Sequence, residues 1–319
     1  MKSQVKKFHF GFMPTGINTC SDWLEVAREG EDLGYDTLFL GDHINDWGIF
    51  PALMAAASAT KTLRVGTMVV GNDFRNPVLV AKDVATVDCL SDGRFELGLG
   101  TGYNVQDYTQ MGIAYDSPGI RVDRLSEAVQ IIKGHFSKET FSFHGKYYMV
   151  KDLVGFPQPV QRPHPPIIIG GGGKRVLTLA AREANVVCMV NRKKVDGSID
   201  ATSMTLEAFK QKVEWIRQAA GNKLDHLEMM VFVWLPNVTD SQSEAQNSIE
   251  AIHEFLLERD PESHITYQQV KDSPYGMAGS EDYLVEKMLS LRERLGISYW
   301  VFMSNPAGAA KLVKRLSGQ

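Results

Sequence analysis

Asp42, His43 and Trp47 stand together in GDHINDW, directly after the apolar run DTLFL. Histidine is the common general acid or base near neutral pH. A carboxylate beside it can orient the ring or accept a ligand hydroxyl, and an indole four residues on offers an aromatic wall. The same residues would serve equally if Asp42 capped the next turn and His43 packed inside. A second group is GGGGKR, Gly170 to Arg175. Consecutive glycines let a ligand reach main-chain N–H groups at a helix start, and Arg175 adds a bidentate phosphate partner. The Walker spacing fails, because Lys174 is followed by Arg175 and position 168 is Ile168. An anion site is favoured over a plain flexible turn. GLGTGY, Gly98 to Tyr103, misses the dinucleotide fingerprint because its third glycine would fall at Tyr103. It still allows a flat ligand close to the backbone, or simply makes a tight strand-end turn.

Other chemistries find little support. His9 lies in FHF without a His-x-His pair, and there is no HExxH and no G-x-S-x-G elbow. No metal site is expected. The three cysteines, Cys20, Cys89 and Cys188, are far apart and make no Cys-x-x-Cys pair. Net charge is −4, so no basic field holds nucleic acid or an anionic membrane. The basic run Arg192 to Lys194 reads as solvated surface. No stretch nears the roughly 18 apolar residues of a membrane span, and the N-terminal MKSQVKKFHFGFMP lacks a signal-length apolar run. A cytoplasmic protein with reduced thiols is the simplest expectation.

These groups need a scaffold. Eight apolar runs read as buried strands: FHFGF (8–12), DTLFL (36–40), RVGTMVV (64–70), RFELGLG (94–100), PIIIG (166–170), NVVCMV (185–190), LEMMVFVWL (227–235) and YWVFM (299–303). Helical stretches alternate with them: a helix capped at Ser21-Asp22 and running to about Gly34, one from Pro51 to about Thr60, one from Pro77, and others near 121–136, 174–184, 206–220, 243–257 and 281–295. Eight strands in a βα rhythm predict a single (β/α)₈ TIM barrel over residues 1–319, with a doubly wound open sheet as the alternative. Insertions are expected near 137–165, with a hairpin turning at His144-Gly145, and near 258–280, a long loop. In such a barrel chemistry sits at the C-terminal strand ends, where all three groups above fall.

These residues resemble a known family, the bacterial luciferase-like flavin oxidoreductases, and within it the branch that depends on the deazaflavin coenzyme F420. The resemblance covers nearly the whole chain. It is carried by GYDTLFLGDHINDW, FRNPVLVAKDVATVDCLSDGRFELGLGTGYN, RVDRLSEAVQIIKG and PQPVQRPHPPIIIGGGGKRVLTLAAREAN. The D-H-x-x-x-W spacing is similar to that of deazaflavin-dependent sugar-phosphate dehydrogenases of this superfamily. It implies that Asp42 binds the deazaflavin head group while His43 and Trp47 line the reaction site. It further implies a non-proline cis peptide or bulge near Met68-Val69-Val70 behind the ring, with Val69 and Gly71 against the cofactor. Thr101 and Gly102 match backbone cofactor contacts, and Gly172, Gly173, Arg175 and Val176 match the phosphate-binding turn. One position departs: the Glu that follows GTG in those dehydrogenases is Tyr103 here. That speaks against glucose 6-phosphate and leaves Tyr103 as a neutral proton donor or a packing residue.

The resemblance implies an oxidoreductase passing hydride from reduced F420 to a C=C or C=N bond of a small molecule, with His43 or Tyr103 giving the proton. An FMN-dependent monooxygenase and a non-catalytic flavin-binding barrel are the alternatives. A cofactor-reducing enzyme would supply reduced cofactor. A homodimer is expected, with the helices after Pro51 and Pro77 as interface candidates.

Overall fold

The computed structural model describes residues 6–137 and 139–319. The first five residues, part of the stretch read for a targeting signal, lie outside it. All eight apolar runs form parallel strands: β1 (His9–Phe12), β2 (Thr37–Leu40), β3 (Arg64–Thr67), β4 (Phe95–Gly100), β5 (Ile167–Gly171), β6 (Val186–Met189), β7 (Glu228–Trp234) and β8 (Ile297–Met303). Each pairs with the next, and β8 pairs with β1, so the barrel closes and the open-sheet alternative fails. Closure leaves the barrel sheet without an edge strand.

Side chains alternate along each strand, and the inward set fills the lumen. Phe39 is its largest apolar member, and small neighbours make room for it. A Cβ on Gly11 or Gly66 would lie 2.6 or 2.5 Å from its ring. Ile168, Cys188, Met230, Tyr299 and Val301 complete this layer. Towards the N-terminal end of the barrel the lumen turns polar. The Tyr299 hydroxyl donates to Thr37 at 2.8 Å and to Glu96 at 3.1 Å, and Arg64 meets Glu96 at 2.6 Å. Each buried polar group there has a partner, which holds the cost of burial down.

Among the described residues, eleven helices surround the barrel: α1 (Cys20–Asp32), α2 (Ile49–Ala59), α3 (Pro77–Leu90), α4 (Val105–Met111), α5 (Pro118–His135), α6 (Lys174–Glu183), α7 (Leu206–Ala220), α8 (Gln242–Arg259), α9 (Tyr267–Asp272), α10 (Glu281–Leu295) and α11 (Ala310–Leu316). Several bounds differ from expectation. Thr19 caps α1 instead of Ser21-Asp22, its side chain accepting from the Asp22 N–H, because Cys20 already has helical geometry. α2 starts at Ile49, where Ile49 and Phe50 are buried. The hairpin pairs Phe141–His144 with Met149–Leu153 across a turn that Glu127 holds by accepting from the N–H groups of Lys146, Tyr147 and Tyr148. The stretch expected as a loop near 258–280 carries α9 and a two-residue strand, Ala278–Gly279, and buries Val270, Tyr275 and Met277.

Glu31, near the end of α1, anchors the approach to β3. Its carboxylate accepts from the N–H groups of Lys61, Thr62 and Leu63 at 2.8, 2.5 and 2.9 Å and from the Thr62 hydroxyl. Burial works against the charge, but these bonds outweigh it and hold the group at about 2, against an ordinary 4.5. The stabilisation is therefore complete above about pH 4.5 and disappears as the pH falls through about 2. Glu31→Gln should lower the melting temperature by about 2–4 °C at pH 7. The gap from the parent should close as melting curves are taken towards pH 2.

Candidate active site

The C-terminal end of the barrel opens into a cavity of about 1220 Å³. Asp42, His43, Trp47, Val69, Gly71, Thr101, Gly102, Tyr103, Gly172, Gly173, Arg175 and Val176 all line it. The sequence placed these residues on four different strand ends, and the barrel brings them together.

One wall is built where β3 meets β4. The Met68–Val69 peptide is cis, at the position the resemblance implied. Beyond it Val70–Gly71 pairs again with Leu99–Gly100. Gly98 and Gly100 are required here: a Cβ would lie 1.9 Å from the Thr67 carbonyl oxygen at Gly98 and 2.4 Å from Val69 at Gly100. Val69 therefore lies flat against glycine and lines the cavity. Asp42 at the end of β2 accepts from the Gly71 N–H at 3.1 Å and forms an ion pair with Arg75, so the carboxylate is held beside this wall.

Beside it lies a polar chain. His43 Nδ1 is 2.8 Å from an Asp107 carboxylate oxygen, and His43 Nε2 is 3.3 Å from the Tyr103 hydroxyl. Asp107, on α4, is 3% exposed, whereas Tyr103 is 50% exposed. Desolvation at the cavity raises the Tyr103 phenol, and the Asp107 charge adds to this, so the hydroxyl keeps its proton near neutral pH. Trp47 donates from Nε1 to the Ile17 carbonyl at 3.2 Å, which ties the indole to the loop after β1.

The far wall is the glycine turn after β5. Helix α6 has Gly173 at its N-cap and so no side-chain cap, leaving its first N–H groups available to an anion. Arg175, expected as the phosphate partner, lines the cavity, pairs with Asp123 and donates to the Gly119 carbonyl.

Four contributors escaped the sequence reading. Asp107 and Arg75 partner His43 and Asp42. Arg121 shapes the GTGY loop, donating to the Gly102 and Asp116 carbonyls and stacking 4.1 Å from the Tyr115 ring. The fourth is Lys193, within the basic run read as solvated surface. Arg192–Lys193 pairs with Ile199–Asp200 in a short hairpin on the cavity lip. Arg192 is neutralised by Asp200 and Lys194 by Asp260, while Lys193 sits 4.9 Å above the Tyr103 ring without a carboxylate partner among the described residues. Burial lowers its ammonium, as does the nearby Arg259 charge. Lys212, donating to the Val190 and Ser203 carbonyls, pins the base of this lip. Cys188 lines the floor, and burial pushes its thiol up to about 12, so it stays protonated.

The family model described as luciferase-like monooxygenase matches residues 5–297. This chain belongs to the luciferase-like monooxygenase family. Among curated proteins, this luciferase-like chain is 32% identical over 181 residues to an F420-dependent glucose-6-phosphate dehydrogenase of Kineococcus radiotolerans, covering 54% of the chain and 53% of that protein. The chain thus spans about half the length of that relative. The corresponding protein of Amycolatopsis mediterranei is 25% identical over 313 residues, covering 92% of the chain and 84% of the relative. Among solved structures, the coenzyme F420 dependent tetrahydromethanopterin reductase of Methanopyrus kandleri superposes with a TM-score of 0.76 at 19% identity, covering 98% and 99% of the two chains. At that identity the match speaks for the fold.

The glycine turn offers a structural test. A Cβ on Gly172 would lie 2.4–2.5 Å from the Asn191 and Arg192 main chain, whereas one on Gly173 would meet nothing within 4 Å. Gly172→Ala should destabilise the fold by about 1–3 kcal/mol in urea unfolding. Gly173→Ala should be close to neutral in the same experiment.

Proposed function

We propose that this luciferase-like chain is an oxidoreductase that holds coenzyme F420 across the barrel mouth and acts on a small organic substrate by reducing a C=C or C=N bond. The observation that carries this reading is the meeting, in one cavity, of the Asp42–His43–Tyr103 wall and the uncapped glycine turn at α6. The residues present fit a flat ring with a phosphate tail. Val69, backed by Gly98 and Gly100, offers an apolar plane, Asp42 stands at its edge, and the α6 N-terminus offers main-chain donors. Bound there, the deazaflavin would supply a hydride.

The chain's own residues do the rest. One atom of the substrate double bond takes the hydride, and its neighbour takes a proton from the Tyr103 hydroxyl, backed by His43. Trp47, tied to Ile17, walls the substrate side. Lys193, above Tyr103 and without a carboxylate partner among the described residues, favours a substrate carrying an anionic group. The curated relatives that depend on F420 support the cofactor, and the family description leaves FMN and oxygen as the competing reading.

Anaerobic titration of the purified chain, followed by fluorescence, should find F420 bound at least about ten-fold more tightly than FMN. Asp42→Ala should erase most of that preference. Tighter FMN binding with oxygen-dependent turnover would overturn the proposal, as would binding of neither. With a panel of unsaturated substrates, Lys193→Ala should raise KM about ten-fold for anionic members while sparing neutral ones.

A further inference from the structure

His43 has two ring nitrogens, and the structure gives each a different neighbour. Nδ1 faces a carboxylate oxygen of Asp107 at 2.8 Å, and Nε2 faces the Tyr103 hydroxyl at 3.3 Å. A carboxylate can only accept, so the proton on Nδ1 is donated to Asp107. The other oxygen of Asp107 lies 3.5 Å from the Ile44 N–H, so the same side chain also holds the backbone beside His43. Asp107 is 3% exposed, and the first turn of α4 carries it, capped by the Asn104 side chain accepting from the Gln106 N–H. Nothing in GDHINDW supplies this carboxylate; it comes from another strand end.

We propose that Asp107 is a positioning residue that fixes His43 in the Nδ1–H form and holds its imidazolium, so that His43 and Tyr103 act as a two-step proton relay to the substrate. This rests on the reductase reading above. The relay balances as follows. Protonated His43 gives its Nε2 proton to the Tyr103 oxygen as the Tyr103 hydroxyl proton passes to the substrate atom beside the one that receives hydride. Neutral His43 remains, its Nδ1–H still on Asp107, and bulk water restores the Nε2 proton. Tyr103 suits the middle position because burial and the Asp107 charge keep it a neutral phenol. The edge-on placement of the two rings, centroids 5.7 Å apart at 84°, points Nε2 towards the hydroxyl and not at the ring face.

The charged groups around His43 leave Asp107 as its counter-ion. Asp42, its chain neighbour, is committed to Arg75 and the Gly71 N–H. From the β6 lip, Lys193 faces the Tyr103 ring. From α4 and its approach, Asp107 and Tyr103 make the direct contacts. Histidine without such a partner prefers the Nε2–H tautomer, so the two states can be told apart.

The test is long-range ¹H–¹⁵N NMR of the full chain labelled at histidine, with His43 assigned by His43→Gln. It needs no cofactor or substrate, so it can fail independently of the reductase reading. The parent should show His43 protonated at Nδ1 with Nε2 pyridine-like. In Asp107→Asn the Nε2–H form should take over. Asp107→Glu should keep the parent tautomer. An Nε2–H tautomer in the parent would overturn the proposal, as would a tautomer unmoved in a folded Asp107→Asn. If that variant does not fold, the parent's tautomer decides alone.

Discussion

The site depends on how tightly β3 is pressed against β4. Gly98 has no room for a Cβ, because the Thr67 carbonyl oxygen would lie 1.9 Å away. The Thr67 hydroxyl closes the contact from both sides, donating to the Gly98 carbonyl at 2.8 Å and accepting its N–H at 2.7 Å. Between the register points Gly66↔Glu96 and Val70↔Leu99 the β3 side carries one residue more than the β4 side. That excess is taken up at Met68–Val69, and it turns Val69 to the cavity and the Gly71 N–H towards Asp42. The same seam closes the barrel and builds one wall of its mouth, so fold and site share a constraint.

Around that wall the ionisable groups are arranged in pairs. Arg75 holds Asp42, Asp107 holds His43, and Asp123 holds Arg175. A paired group keeps its geometry before a ligand arrives, which lowers the ordering a ligand must impose. Lys193 differs: it has no carboxylate partner among the described residues and stands at the mouth, beside Tyr103, whose hydroxyl faces His43. The asymmetry separates a pre-set wall from a lip that remains to be neutralised.

Much of this was legible in the chain itself. Barrel strands buried on both faces read as continuous apolar runs, so all eight were visible, from FHFGF to YWVFM. Asp42, His43 and the glycine turn stood out because unusual residue types follow those runs directly. Asp107 did not, because it lies on a seven-residue helix with no amphipathic period to announce it. The signal available was Asn104 followed three residues later by Asp107, an N-cap with an acidic first turn. Lys193 looked like solvated charge because its surroundings come from Tyr103, far away in sequence. The segment near 258–280 looked like a loop because Gly, Pro and Ser punctuate it. Its order comes from tertiary burial of Val270, Tyr275 and Met277, which no local pattern encodes.

The most direct test of the account is a crystal structure of the chain with coenzyme F420 bound. The account requires the ring to lie on Val69, with Asp42 at its edge and His43 and Tyr103 on the substrate side. The phosphate should meet the N–H groups that open α6 at Gly173. A ring bound away from Val69, or a phosphate that avoids this turn, would contradict it.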